Sequence, residues 1–197
     1  ASSQEELVAK MDADGDGTID KSEFTTWAGE QAAQVQELEQ RLATALTEAQ
    51  AGIWYAQARD PGSPVFMTGQ ALHIHGPLDA GAMTRAVDRL GQEAESLSLR
   101  FRVGDHGPQQ RLEPRGAPRL VLRADVGPDE IQAALLAEAR VPVDLLQGPV
   151  AGFTLWRLGP RHHVLSERIH HIAADGQAMV QITQRLAALY DAELIGT

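Results

Sequence analysis

Two stretches of this sequence bring together side chains that can do chemistry. Residues 12–23 read DADGDGTIDKSE, with carboxylates at Asp12, Asp14, Asp16, Asp20 and Glu23. The spacing puts oxygen donors at the first, third, fifth, ninth and twelfth places of a loop, with the Thr18 carbonyl at the seventh. A hard cation such as calcium wants such a flexible cage, closed by a bidentate Glu23, and Gly17 at the sixth place permits the sharp turn. Residues 168–179 read RIHHIAADGQAM. Two adjacent histidines precede an aspartate and a glycine here, and imidazole is the side chain suited to acid–base work near neutral pH.

Successive side chains of a strand face opposite ways, so His170 and His171 do not serve one substrate together if a strand runs through them. One is expected to do chemistry and the other to support it. Glycine at position 176 is expected to let the chain turn tightly into a last helix, with Asp175 holding the loop by a hydrogen bond or ion pair. His171 then projects from a fixed loop at a strand end, a common place for a catalytic base. A joint metal site from His170, His171 and Asp175 is poorly served by neighbours that point apart. A serine hydrolase needs a nucleophile elbow, and no Gly-x-Ser-x-Gly is present.

Composition narrows the field. The chain has 197 residues, 43% of them hydrophobic and 22% charged, with a formal net charge of −10 and no cysteine. That is enough for a sizeable core, it excludes thiolate nucleophiles and cysteine-bound zinc, and it argues against nucleic acid, whose phosphates demand clustered Lys and Arg. No apolar run approaches the length of a membrane span. The start, ASSQEELVAK, lacks the basic-then-apolar pattern of a secretory signal, so a cytoplasmic protein is expected, and the absent initiator Met suggests processing or a fragment of something longer.

The elements that must position these residues can be read from periodicity. SQEELVAKM should enter the acidic loop as a helix, and a long helix should leave it, with an apolar stripe at Ala28, Ala32, Val35, Leu38, Leu42 and Ala45. Thr47 and Gln50 form a capping box for a helix that stops before Pro61. Residues 71–76 alternate as a strand. Residues 79–96 carry Met83, Ala86, Val87 and Leu90 at helical spacing behind an Asp79 cap. SLRFRV and QQRLE flank the turn GDHGP as a hairpin, and PRLVLRADV adds a strand. GPDEIQAALLAEAR reads as a helix with proline at its first position. VAGFTLWRL and HHVLSERIHH make a second hairpin across GPR, and the last helix shows Met179, Ile182, Leu186 and Leu189 on one face. Helices interspersed with strands predict an α/β layer packing with a mixed sheet flanked by helices.

Two resemblances follow from these residues. The acidic loop with its helical flanks resembles an EF-hand, with Ile19 at the short-strand position and Met11, Phe24 and Trp27 as a small core. HHIAADG is similar to the His-His-x-x-x-Asp-Gly signature of nonribosomal peptide synthetase condensation domains, members of the chloramphenicol acetyltransferase-like superfamily. LTEAQAGIWYAQ (46–57) looks like that family's opening helix, EAESLSLRF (93–101) its second motif, and VPVDLLQGPVAGFTL (141–155) its Pro-x-Asp-Leu-x-x-Gly-Pro stretch.

The second resemblance implies a first domain lobe over residues 46–197, preceded by an EF-hand-like segment over 1–45. It implies that His171 is catalytic, positioning or deprotonating the acceptor amine as it attacks a donor thioester. His170 would support it, Asp175 would fix the loop, and Gly176 would offer a backbone amide to the reacting carbonyl. The family's second motif places an arginine where this chain has Ser98; Arg100, two residues on, is the candidate partner for Asp175. Substrates would be phosphopantetheine thioesters on donor and acceptor carrier proteins, with no cofactor in the chemistry and calcium only at the N-terminal loop. A second lobe would lie outside this chain, which alone would be inactive. Epimerisation domains and carrier- or coenzyme A-dependent acyltransferases share the superfamily. From another class, a calcium-responsive interaction module, docking a partner through residues 1–45, fits the acidic loop.

Overall fold

In a computed structural model of the chain, residues 10–42, 44–124 and 126–196 are described. Contacts divide the chain into two compact units, Ala1–Ala43 and Thr44–Thr197. In the first, Lys10 and Met11 are helical, and most of the expected entering helix lies outside the described residues. The acidic loop follows, and helix α1 spans Lys21–Leu42.

Several expectations for this unit are corrected. The helix does not reach Ala45, because Thr44–Ala45 form a short strand, β1, paired with Gln110 and Gln109. The stripe positions Val35, Leu38 and Leu42 have side chains outside those described. Phe24 is 55% exposed and Ile19 lies in no strand, so neither closes a core, although the Phe24 and Trp27 rings meet at 6.3 Å. A helix–loop–helix of this size has too little apolar surface to build a core of its own.

The second unit opens with helix α2, Glu48–Arg59, started by the expected capping box: Thr47 accepts from the Gln50 amide while Gln50 accepts from Thr47. Strand β2 (Met67–His75) leads to helix α3 (Ala80–Glu93), capped by Asp79. A short 3-10 helix, Glu95–Ser98, enters the hairpin β3 (Leu99–Gly104) and β4 (Gly107–Leu112). Then come β5 (Leu120–Arg123), helix α4 (Ile131–Ala139), the hairpin β6 (Ala151–Gly159) and β7 (His162–His170), and helix α5 (Gly176–Ile195). Helix α4 starts at Ile131, three residues later than the proline reading: Pro128 sits in the preceding turn, closed by the Glu130 amide on the Gly127 carbonyl.

The main sheet has the order β2-β7-β6-β5, antiparallel except for the parallel β5–β6 pair, and the smaller one has the order β1-β4-β3. This is the mixed α/β layering that the alternation of elements predicts. Ala82, Met83, Ala86, Val87 and Leu90 of α3 and Met179, Ile182, Leu186 and Leu189 of α5 are buried with Phe153, Leu155, Leu165 and Ile169 of β6 and β7. Each large aliphatic buried here contributes about 1.5–3 kcal/mol, and this core fixes β7, the strand that carries the signature. Surface ion pairs also join α3 to α5, Arg85 and Arg89 to Glu193 and Arg185 to Glu93, but exposed pairs of this kind are worth about 0–1 kcal/mol.

Candidate functional site

Strand β7 stops at His170, and the histidines part company there. The His170 amide donates to the Val150 carbonyl and the His171 amide to the Phe66 carbonyl, both at 2.8 Å. The Ala173 amide then turns back onto the His170 carbonyl. His170 is 1% exposed, while His171 is exposed. The strand ends at His170 and His171 opens the turn that follows, which leaves one ring buried and the other exposed.

A set of hydrogen bonds fixes the His170 ring. Its Nδ1 accepts from the Ile172 amide at 3.2 Å, so the proton sits on Nε2, which faces Gln57 Oε1 at 3.3 Å. The amide nitrogen of Gln57 donates in turn to the carbonyls of Asp60, Pro61 and Ser63, which settles the orientation of its side chain. Burial, and then the neighbouring His171, push the His170 pKa down to about 4. His170 is therefore neutral at physiological pH, and both its nitrogens are engaged. A metal site using it together with His171 and Asp175 is excluded by that engagement.

Gln57 is the residue that sequence reasoning missed. It lies seven positions after Gln50, two turns along the same face of α2. Gln50 also reaches the signature turn, donating to the Ile172 carbonyl at 3.3 Å and to Gln110 at 2.8 Å. Two glutamines at this spacing, between the charged ends Glu48 and Arg59 of the helix, were the available signal. Ile172 itself is buried with Trp54, Phe101, Leu145 and Val150, so one helix holds the turn by both polar and apolar contacts. Gln57 also lines a cavity of about 560 Å³ with Trp54, Pro61, Val103 and Leu145.

Asp175 is the N-cap of α5: its Oδ1 accepts from the Ala178 amide at 2.8 Å and its carbonyl from Met179. It holds the loop by a hydrogen bond, one of the two options the sequence left open. The arginine expectation is corrected. Arg100 donates to the carbonyls of Leu99 and Gly116, and its guanidinium packs against Gly116 and Gly148, filling the space a Cβ would need there. Ser98 ends the 3-10 helix rather than lying on β3, and its hydroxyl donates to the Gly91 carbonyl. The two positions therefore do not share a strand face.

The role expected of Gly176 also changes. Its φ is not positive, and a Cβ there would meet nothing within 4 Å. The turn does not require glycine at this position; the residue opens the first turn of α5 onto empty space.

In the N-terminal unit, the carboxylates of Asp12, Asp14 and Asp16 bring one oxygen each within 4.8 Å of one another. The Gly17 amide donates to Asp12 and the Thr18 amide and hydroxyl to Asp16, which holds the Asp16 pKa below its ordinary value. Glu23 folds back over the loop, accepting from Ala13 and Asp14 with one oxygen and from Asp20 with the other, while Asp20 accepts from Ser22 and Glu23. Gly15 and Gly17 take positive φ, as a cage that turns on itself needs. The acidic oxygens and this turn geometry suit a hard divalent cation.

Among the described residues, no helix is long and apolar enough to cross a membrane. The condensation-domain model matches residues 40–197. The chain is 37% identical over 159 residues to a dimodular nonribosomal peptide synthase of Bacillus subtilis (strain 168), covering 79% of this chain and 7% of that protein. It is 34% identical over 156 residues to an isonitrile lipopeptide synthase of Streptomyces coeruleorubidus, covering 77% and 11%. The structure is similar to the starter condensation domain of rhizomide synthetase RzmA, with a TM-score of 0.71 and 34% identity over 79% of this chain and 39% of that one. It is also similar to the first condensation domain of the calcium-dependent antibiotic synthetase, in complex with a substrate analogue, with a TM-score of 0.70 and 29% identity over 78% and 38%. The chain thus spans about two fifths of the solved domains that it matches and a small part of the synthetases. With the signature turn, its supporting helix and the mixed sheet in place, this chain belongs to the condensation-domain family.

Proposed function

We propose that residues 44–197 form the first lobe of a condensation domain that makes an amide bond between two carrier-bound thioesters. The observation that carries this reading is the division between the two histidines: one neutral, buried and fully hydrogen-bonded, the other exposed at the end of the strand. His171 takes the proton of the acceptor α-amine as its nitrogen attacks the donor carbonyl. The C–N bond forms, the C–S bond breaks, and His171 returns the proton to the departing donor thiolate, which leaves as the thiol. General-base assistance of this kind contributes about 10²–10⁴-fold. His170, held neutral, places no second positive charge beside the base. The Gly176 amide, at the helix N-terminus where N–H groups lack intrahelical partners, is offered to the carbonyl oxygen as negative charge builds there. A second lobe and two carrier domains complete the site.

In the complete domain with loaded carrier proteins, His171→Ala should lower condensation by at least about a hundredfold with the fold unchanged by circular dichroism. Product formation at the wild-type rate would remove His171 from the chemistry. If His171→Ala is inactive but the wild type exchanges the α-hydrogen of a carrier-bound residue, the domain is an epimerase.

The acidic loop supports a second reading for the N-terminal unit, that of a calcium site formed by Asp12, Asp14, Asp16, Asp20, Glu23 and the Thr18 carbonyl. Binding would draw Glu23 from its bonds to Ala13, Asp14 and Asp20 onto the ion, and so couple calcium to the start of α1. Calorimetry should show calcium uptake by the wild type and none by Glu23→Gln; a wild type that takes up no calcium would end this reading.

A further inference from the structure

At the opposite end of β7 from the signature, three imidazoles meet. His73 and His75 lie two apart on β2, hence on one face, and His75 pairs in register with His162 at the start of β7. Their ring centroids are 4.5 Å apart for His75 and His162, 5.4 Å for His73 and His162 and 6.5 Å for His73 and His75. His73 Nδ1 lies 3.1 Å from His162 Nε2. His73 and His75 are exposed, and His162 is half-buried. His163, next in the chain, is buried, with its Nδ1 unpartnered. It points to the other face and takes no part.

A set of three imidazoles with no carboxylate in ion-pair contact among the described residues is poorly explained as surface filling. Protonated together the rings would repel; neutral, each carries one lone pair, and His73 Nδ1 and His162 Nε2 already lie within 3.1 Å of each other. We propose that His73, His75 and His162 form a binding site for a divalent transition-metal ion, zinc being the best match to three neutral imidazoles.

The chemistry fits nitrogen rather than oxygen ligands. Imidazole suits zinc, copper and nickel, whereas calcium and magnesium prefer oxygen. A His-x-His pair on one strand and a cross-strand histidine have Cβ atoms about 4.5–8 Å apart, within the span of three ligands whose zinc–nitrogen bonds are about 2.0–2.1 Å. His75 lies face-on to His162, so metal binding would require its exposed side chain to turn and bring a nitrogen toward the other two. Eight residues of strand, about 26 Å at 3.3 Å each, separate this cluster from His170. Zinc here would pin the outer end of β2 to β7 and would act independently of condensation.

Titration of the full protein with zinc chloride, followed by calorimetry, tests the site. One zinc equivalent is expected, with binding at least about tenfold weaker in each of His73→Gln, His75→Gln and His162→Gln. Glu23→Gln should bind zinc like the wild type, which separates this site from the acidic loop. Zinc should also raise the melting temperature of the wild type but not that of the triple variant. Equal zinc binding by the wild type and the triple variant would overturn the proposal, as would saturation only at millimolar zinc. Circular dichroism of each variant confirms that the fold is retained.

Discussion

The turns that start α1 at Asp20 and α5 at Asp175 both use an aspartate, yet they are held in opposite ways. The acidic loop is stitched to itself: its longest hydrogen bond, from the Ala13 amide to Glu23, spans ten residues, and all its bonds are exposed. The signature turn is held from far away in sequence, by Gln57 across 113 residues and Gln50 across 122. A self-stitched loop can exchange its bonds for an ion at little cost to anything else. A turn held by distant elements keeps its geometry only while the whole unit is folded, which suits the catalytic base proposed for His171, in place before substrates arrive.

The sharpest way to break this contrast is Gln57→Leu. It removes the His170 partner and the side-chain donor to the Pro61 and Ser63 carbonyls, while the Asp60 carbonyl keeps the Ser63 amide, so it should cost about 3 kcal/mol at the usual penalty for unsatisfied groups. Urea denaturation measures this, and a loss under about 0.5 kcal/mol would mean that the turn is as local as the acidic loop. A comparable effect is expected on acidification. The His170 pKa is lowered in the folded state to about 4, against about 6.5 in an unfolded chain. The unfolded state therefore binds more protons between these values. The associated stability, on the order of 3 kcal/mol, is complete above about pH 6.5 and lost as pH falls toward 4. Unfolding curves at pH 7 and pH 5 should show it, and His170→Gln should flatten the difference.

Smaller effects compare the two caps directly. Asp175→Ala should cost about 1 kcal/mol, the usual price of an N-cap, read from the unfolding of the Thr44–Thr197 unit. Asp20→Ala should leave that transition unmoved and abolish calcium uptake instead. The smallest effect sharpens the contrast most. Gly176→Ala should leave stability unchanged or slightly raised, since Ala is the better helix former and a Cβ there meets nothing, but it should slow condensation if the empty space serves the substrate. Unchanged turnover would show that the space beside Gly176 serves no substrate and would leave only its backbone amide, which alanine keeps, as its proposed role.

What could be read in the sequence follows the same division. Features set by neighbours in the chain were legible: the Thr47–Gln50 box, the Asp79 cap, the buried faces of α3 and α5, and both hairpins. His170 and His171 do part company as expected, but through the end of β7 at His170 rather than through alternation within a strand, since Ile169 and His170 are both buried. Features set by tertiary contact were not. Arg100 packs against Gly116 and Gly148 rather than reaching Asp175, because loops distant in sequence close over it. Gly176 invited a local argument from turn chemistry, while the space around it is a property of the folded unit. Ala45 continued a helical stripe but was taken by β4, whose partner residues lie more than sixty positions away.

The pairing of Gln57 with His170 has a practical consequence for building hybrid synthetases. The loop that leaves α2 and the tautomer of His170 share one side chain, so the two segments behave as a single inherited unit despite the length of chain between them. Exchanging the signature strand between synthetases while keeping the resident opening helix would bring together a histidine and a glutamine not matched to each other. Crossover points are better placed outside residues 48–175, so that α2 travels with the turn it orients.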